Sequence, residues 1–117
     1  MAPVAKPSEH ASAKGPLNDA EAVELAGSMQ MFASDSRLKI LWAMFDRSRA
    51  VDELADVAGL TPSATSHQLR LLRDAKLVAV NRVGRQAIYS LHDHHIPELL
   101  SALRHHHEHL LPTDDQE

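Results

Sequence analysis

The chain has 117 residues, 44% of them hydrophobic and 24% charged, with a formal net charge of −4 and no cysteine. That composition fits one soluble globular domain with a single core, and the lack of cysteine excludes disulfides, thiolate nucleophiles and thiolate metal sites. No apolar run approaches bilayer-spanning length, and the N-terminus lacks the apolar centre of a signal peptide, so a cytoplasmic protein without membrane contact is expected. The charge is unevenly spread: residues 61–90 carry a local +4, against −3 before them and −5 after them. An acidic body with one basic segment suits a localised anion-binding face, although a solvated helix face would carry the same charges.

In chain order, residues 1–16 hold three prolines and many small side chains and are expected to form a flexible arm. Asn18 or Asp19 can cap a first helix whose apolar positions are Ala22, Leu25, Ala26, Met29 and Phe32. "SDSR" (34–37) breaks it and caps a second, with Leu38, Leu41, Trp42 and Phe45 as its stripe. "VDELADVAG" predicts a short third helix that ends at Gly59, a residue free to turn left-handed. Thr61 is a good N-cap and Pro62 falls at the first position of a fourth helix running to about Ala75. "LVAVNRVGRQAIYSL" alternates as two strands around a turn at Gly84. A last helix tolerates Pro97 only in its first turn and has Ile96, Leu99, Leu100 and Leu103 on its apolar face. The end, residues 112–117, is expected to fray. This order of elements, with the "AGLT" turn, predicts a mainly α (α+β) winged helix-turn-helix domain over residues 17–111, about five helices with a β-hairpin wing.

The last helix carries imidazole at both ends: His92, His94 and His95 near its start, His105, His106, His107 and His109 near its end. Eleven residues separate His95 from His106, about 16 Å along a helix axis, whereas a metal ion holds nitrogen ligands at roughly 2 Å. One straight helix cannot bring both ends to one ion. Either the ends do different things or a second copy of the helix joins them.

The stretch "SATSHQLRLLRDAKLVAVNRVGRQAIYSL", with "SDSRLKIL" before it, resembles the ArsR/SmtB family of metal-responsive bacterial repressors, and the likeness extends over roughly residues 19–110. The resemblance implies a homodimeric winged-helix repressor whose last helix lies antiparallel to its mate at the dimer interface. One group within that family holds metal with Asp-x-His near the start of this helix and His-x-x-His or His-x-x-Glu near its end. Asp93 and His95 match the first half, His106 and His109 the second. The resemblance therefore implies two equivalent sites, each with Asp93 and His95 from one chain and His106 and His109 from the other. Histidines at a helix end ordinarily stay solvated or bond the last carbonyls. Here four ligand types match together, and three imidazoles with one carboxylate make a tetrahedral set for Zn(II), with Ni(II) or Co(II) as alternatives. His92, His94, His105, His107 and His10 do not match and are expected to be surface residues, with an added ligand from one of the first four as the alternative. The cysteine-based site used by other members is absent.

For nucleic acid, the polar candidates on the fourth helix are Ser63, Thr65, Ser66, His67, Gln68 and Arg70, with Leu69 and Leu72 facing the core. Glutamine can bond adenine bidentately, and serine or threonine can touch bases or phosphates. Ser66 and His67 could equally be interior hydrogen-bonders. Arg82 and Arg85 flank the hairpin tip, where a wing reaches phosphates. A two-fold dimer predicts double-stranded operator DNA with an inverted repeat. The resemblance implies repression in the metal-free state and release of that DNA on metal binding. A winged-helix regulator that responds to pH or to a protein partner is the second possibility. No nucleophile, phosphate loop or paired acids appear at a recognisable spacing, so an enzyme is not expected.

Overall fold

A computed structural model describes residues 15–110. The expected arm up to residue 14, with His10, and the tail 112–117 lie outside the described residues. Five helices and three short strands follow one another: α1 (Asp19–Gln30), α2 (Asp35–Ala43), β1 (Arg49–Ala50), α3 (Val51–Ala58), α4 (Pro62–Asp74), β2 (Val78–Val83), β3 (Gln86–Leu91) and α5 (His95–Leu110). Among the described residues no helix is long and apolar enough to cross a membrane.

The caps are where local chemistry places them. The Asn18 side chain accepts from the Glu21 backbone N–H at 2.8 Å while Glu21 accepts from that of Asn18 at 3.0 Å, a reciprocal box that starts α1. Ser34 caps α2 and Thr61 caps α4, with Pro62 at the first position of that helix. Ala50 has no side chain to cap α3; Glu53 compensates by accepting from the Ala50 N–H at 3.0 Å and from Arg47 at 3.1 Å. These bonds, the backbone one first, hold the Glu53 carboxyl below its usual range against slight desolvation. Gly59 ends α3 with φ +71°, as expected for a left-handed stop. Lys76, just past α4, adopts φ +64°, which its residue type does not announce.

The sheet has the order β1-β3-β2, all antiparallel. The wing is the β2–β3 hairpin, with Val83 opposite Gln86 across a tight turn at Gly84 and Arg85. The third strand, β1, was not expected; two residues long, it pairs Arg49 with Tyr89 and Ala50 with Ile88. Two residues are too few to show an alternation in sequence.

The core joins Ile40 and Leu41 of α2, Leu54 of α3, Leu69 and Leu72 of α4, Val78 and Tyr89 of the sheet, and Ile96 and Leu100 of α5. Each fully buried leucine or isoleucine stabilises the fold by roughly 1.5–3 kcal/mol. The apolar positions of the first helix recur at helical spacing but do not reach the core: no residue of α1 is buried, and only Phe32, just beyond it, joins the core. Val23 is 73% exposed, and Leu25 and Met29 are also open. The end of α5 is similar, with Leu103 and Leu110 exposed. Between α1, α2 and α5 lies an apolar groove of about 700 Å³, lined among others by Met29, Phe32, Trp42, Leu100 and Leu103.

Candidate metal centre and nucleic-acid interface

α5 begins shortly after β3 ends at Leu91, and Asp93 occupies that junction. Its Oδ1 accepts from the His95 backbone N–H at 2.9 Å, which satisfies a first-turn donor of α5. The same carboxylate lies beside two imidazoles, with Oδ2 3.3 Å from His92 Nδ1 and Oδ1 3.4 Å from His95 Nδ1. The His92 contact first, then the His95 N–H and the two rings, hold the Asp93 carboxyl below its usual range. Asp93 is thus kept as the carboxylate, the form a metal ion needs. Two ligands bound at about 2.0–2.1 Å to a tetrahedral ion sit about 3.4 Å apart. The Asp93–His95 spacing fits that geometry with little rearrangement.

At the other end of α5, His106 and His109 are exposed. From His95, they stand eleven and fourteen positions on, close to three and four whole turns at 3.6 residues per turn. His95, His106 and His109 therefore share one stripe of α5, on the side away from Ile96 and Leu100, which face the core. Within one chain the two ends stay apart: among the described residues no group of three or more His, Asp or Glu side chains is gathered as a metal site. The unmatched histidines are not scattered. The His94 ring lies 4.2 Å from that of His95, and the His105 ring 4.2 Å from that of His109 in an edge-to-face pair. The four-residue spacing of His105 and His109 could have signalled that pairing. His107 is different again; it lines the apolar groove with Arg104, whose guanidinium covers Trp42 at 5.0 Å.

On α4 the exposed residues Ser63, His67 and Arg70 form one outward face at spacings of four and three. Ser66 and Gln68 are half-buried on its flanks. Thr65 is a correction: it is 0% exposed, packed on the core side with Leu69 and Leu72, and its Oγ1 has no partner among the described residues. It cannot touch DNA from there. Its spacing to Leu69 and Leu72, four and seven residues, was the signal for this inward position. The amide oxygen of Gln68, the candidate for a bidentate adenine contact, accepts from Arg37 Nε at 2.8 Å. Arg82 and Arg85 are exposed at the wing. Ser63, His67, Arg70, Arg82 and Arg85 thus give the molecule an exposed set of hydroxyl, imidazole and guanidinium groups able to meet phosphates and base edges.

The profile of the bacterial regulatory proteins of the arsR family matches residues 34–80, which spans α2 through the first residues of β2. The HTH-type transcriptional regulator NmtR of Mycobacterium tuberculosis is 42% identical over 95 residues, 81% of this chain and 79% of NmtR. A Synechocystis homologue of the transcriptional repressor SmtB is 39% identical over 68% of this chain and 60% of its own length. The solution structure of apo-NmtR superposes with a TM-score of 0.69 at 41% identity, covering 83% of this chain and 82% of that one. These relatives are transcription regulators rather than enzymes, and the chain, with its exposed α4 face and its wing, belongs to the arsR family of bacterial regulatory proteins.

Proposed function

We propose that this protein is a metal-sensing transcriptional repressor that binds operator DNA as a homodimer without metal and releases it on binding Zn(II). The observation that carries the reading is the division of one ligand set between the two ends of α5. Asp93 and His95 lie 3.4 Å apart at the start, and His106 and His109 lie on the same stripe too far away to join them. A second, antiparallel α5 would complete two four-ligand sites. The exposed apolar residues of α1 and of the end of α5 support a partner of the same kind, since Val23, Leu25, Leu103 and Leu110 are exposed among the described residues. The operator expected is duplex DNA with an inverted repeat, met by α4 and the wing.

Zinc leads because three imidazoles and a carboxylate close a tetrahedral set. Ni(II) or Co(II) is the second reading, favoured by the rings of His94 and His105 lying 4.2 Å from those of His95 and His109, where they could raise the coordination number.

The test is a heterodimer. An Asp93→Ala chain is paired with a His106→Ala chain, and tightly bound zinc is counted. With ligands shared between chains, one site collects both lesions and the other is intact, so one ion per dimer is expected. Sites formed within single chains would leave none, and that count would refute the shared site.

A further inference from the structure

Arg37 stands in the first turn of α2, where the Ser34 hydroxyl receives its backbone N–H. Its side chain reaches in two other directions. Nε donates to Gln68 Oε1 at 2.8 Å, and Nη1 donates to the Gln30 carbonyl at 3.4 Å. One planar guanidinium therefore touches the last residue of α1 and the middle of α4 from the start of α2. Such a fork holds its two acceptors at a fixed angle, which a lysine cannot do. Arginine nitrogen only donates, so the Gln68 atom facing it is the amide oxygen. Both residues are half-buried, where such a bond is less exposed to competing water than at an open surface.

The two helices so joined have different outlooks. α4 presents Ser63, His67 and Arg70 outward, while Gln68 sits between that face and the buried Thr65, Leu69 and Leu72. α1 has no buried residue at all. We propose that Arg37 and Gln68 are a positioning pair that registers α4 against the partner-facing helix α1, and so sets which separation of DNA half-sites the dimer accepts. The inference rests on reading the protein as a dimeric DNA-binding regulator. It assigns Gln68 to positioning and leaves base contacts to the outward face. In a two-fold dimer any tilt of α4 at this junction occurs twice, in opposite senses about the axis. One inserted base pair moves a half-site by about 3.4 Å and rotates it by about a tenth of a turn, so a dimer with a fixed α4 separation detects it.

The experiment uses metal-free full-length protein and a randomised inverted-repeat duplex library. The duplex selected by the wild type is remade with one base pair added or removed at its centre. The wild type is expected to lose about tenfold or more on respaced duplexes. Arg37→Met and Gln68→Met should each shrink that loss by about threefold or more, and the double variant no further, because they cut one shared contact. Arg37→Lys, which keeps the charge without the fork, should behave as Arg37→Met does. Gln68→Glu still accepts from Arg37 and should keep the wild-type spacing ratio while binding every duplex more weakly. Base preferences inside a half-site should not change in any variant. Unaltered spacing discrimination in the Met variants, additive losses, or a base preference that shifts with Gln68→Met would overturn the inference. A wild-type protein that enriches no duplex would instead remove the DNA-binding reading, and this inference with it.

Discussion

Two left-handed residues bracket α4, and they are of opposite kinds: Gly59 before it at φ +71° and Lys76 after it at φ +64°. Both close a helix in the same manner. Leu60 N–H reaches the Ala55 carbonyl at 3.0 Å, and Leu77 N–H reaches that of Leu72 at 2.9 Å. The left-handed conformation costs a residue with a Cβ roughly 1–2 kcal/mol. Removing a glycine, or adding one, changes unfolded-chain entropy by about 0.4–1 kcal/mol in the opposite sense. A Cβ built on Gly59 meets nothing within 4 Å, so no clash adds to the conformational term. Gly59→Ala should therefore destabilise by about 1 kcal/mol, and Lys76→Gly should stabilise by about 0.5–1 kcal/mol. In a domain of this size 1 kcal/mol moves Tm by about 4–8 °C. The assay is urea and thermal unfolding followed by circular dichroism, at one fixed protein concentration because the midpoint of the proposed dimer depends on concentration. Shifts of the same sign for both variants, or a lower midpoint for Lys76→Gly, would refute the reasoning.

Thr65→Val removes a buried hydroxyl that has no partner among the described residues and keeps the shape, so it should raise stability by about 1 kcal/mol and leave DNA affinity unchanged; weaker DNA binding by a stably folded Thr65→Val variant would show that the hydroxyl works outside the core. The Glu53 carboxyl, held low by the Ala50 N–H and Arg47, contributes stability above its unfolded value near 4.5, and that contribution is lost as the pH falls through the still lower folded value. The Tm of wild type should exceed that of Glu53→Gln at pH 7, and the gap should close in acid below about pH 4.5; a constant gap from about pH 7 to about pH 3 would mean the carboxylate charge plays no part.

The helix boundaries were legible because caps and spacing agree, but the expected stripe of α2 was only partly right: Leu41 is buried, whereas Leu38 and Phe45 are exposed and Ile40 takes the inward place. Ser34, Gly59, Thr61 and Pro62 each mark a boundary that the structure keeps. α1 was legible as a helix but not as a surface: the stripe Leu25, Ala26 and Met29 reads the same whether it meets its own core or a partner. β1 and the left-handed Lys76 escaped because the first is held by tertiary pairing alone and the second carries no compositional mark. On the site, Asp93 and His95 were paired by the family resemblance, and the structure adds the reason they stay together: the Asp93 carboxylate accepts from the His95 N–H two residues on. The Arg37–Gln68 bond joins residues 31 apart in sequence, and nothing local to either residue announces it. Thr65 shows the converse. Its inward position was written in its spacing to Leu69 and Leu72, and its polar type outweighed that evidence.

On the proposed reading, metal and DNA compete through the backbone between their sites. α4 ends at Asp74; Leu77 N–H returns to the Leu72 carbonyl, and the Leu77 carbonyl in turn receives the His92 N–H at 2.9 Å. Asp93 is the next residue. The first half of the metal site is thus two backbone hydrogen bonds and one peptide from the last turn of α4, while the second half belongs to the far end of the other chain's α5. An ion that grips both halves fixes Asp93 relative to the partner, and the short hydrogen-bonded path leaves α4 little freedom to stay behind. A ligand that bound the DNA-competent and DNA-released dimers equally would shift nothing, however tightly it bound. Couplings between sites typically amount to about 1–3 kcal/mol, or roughly 5–150-fold in affinity, and they are reciprocal, so DNA must weaken the ion by the factor with which the ion weakens DNA. On that reading, a site taking Asp93 and His95 from one chain and His106 and His109 from the other puts the coupling where the geometry between the two chains decides it.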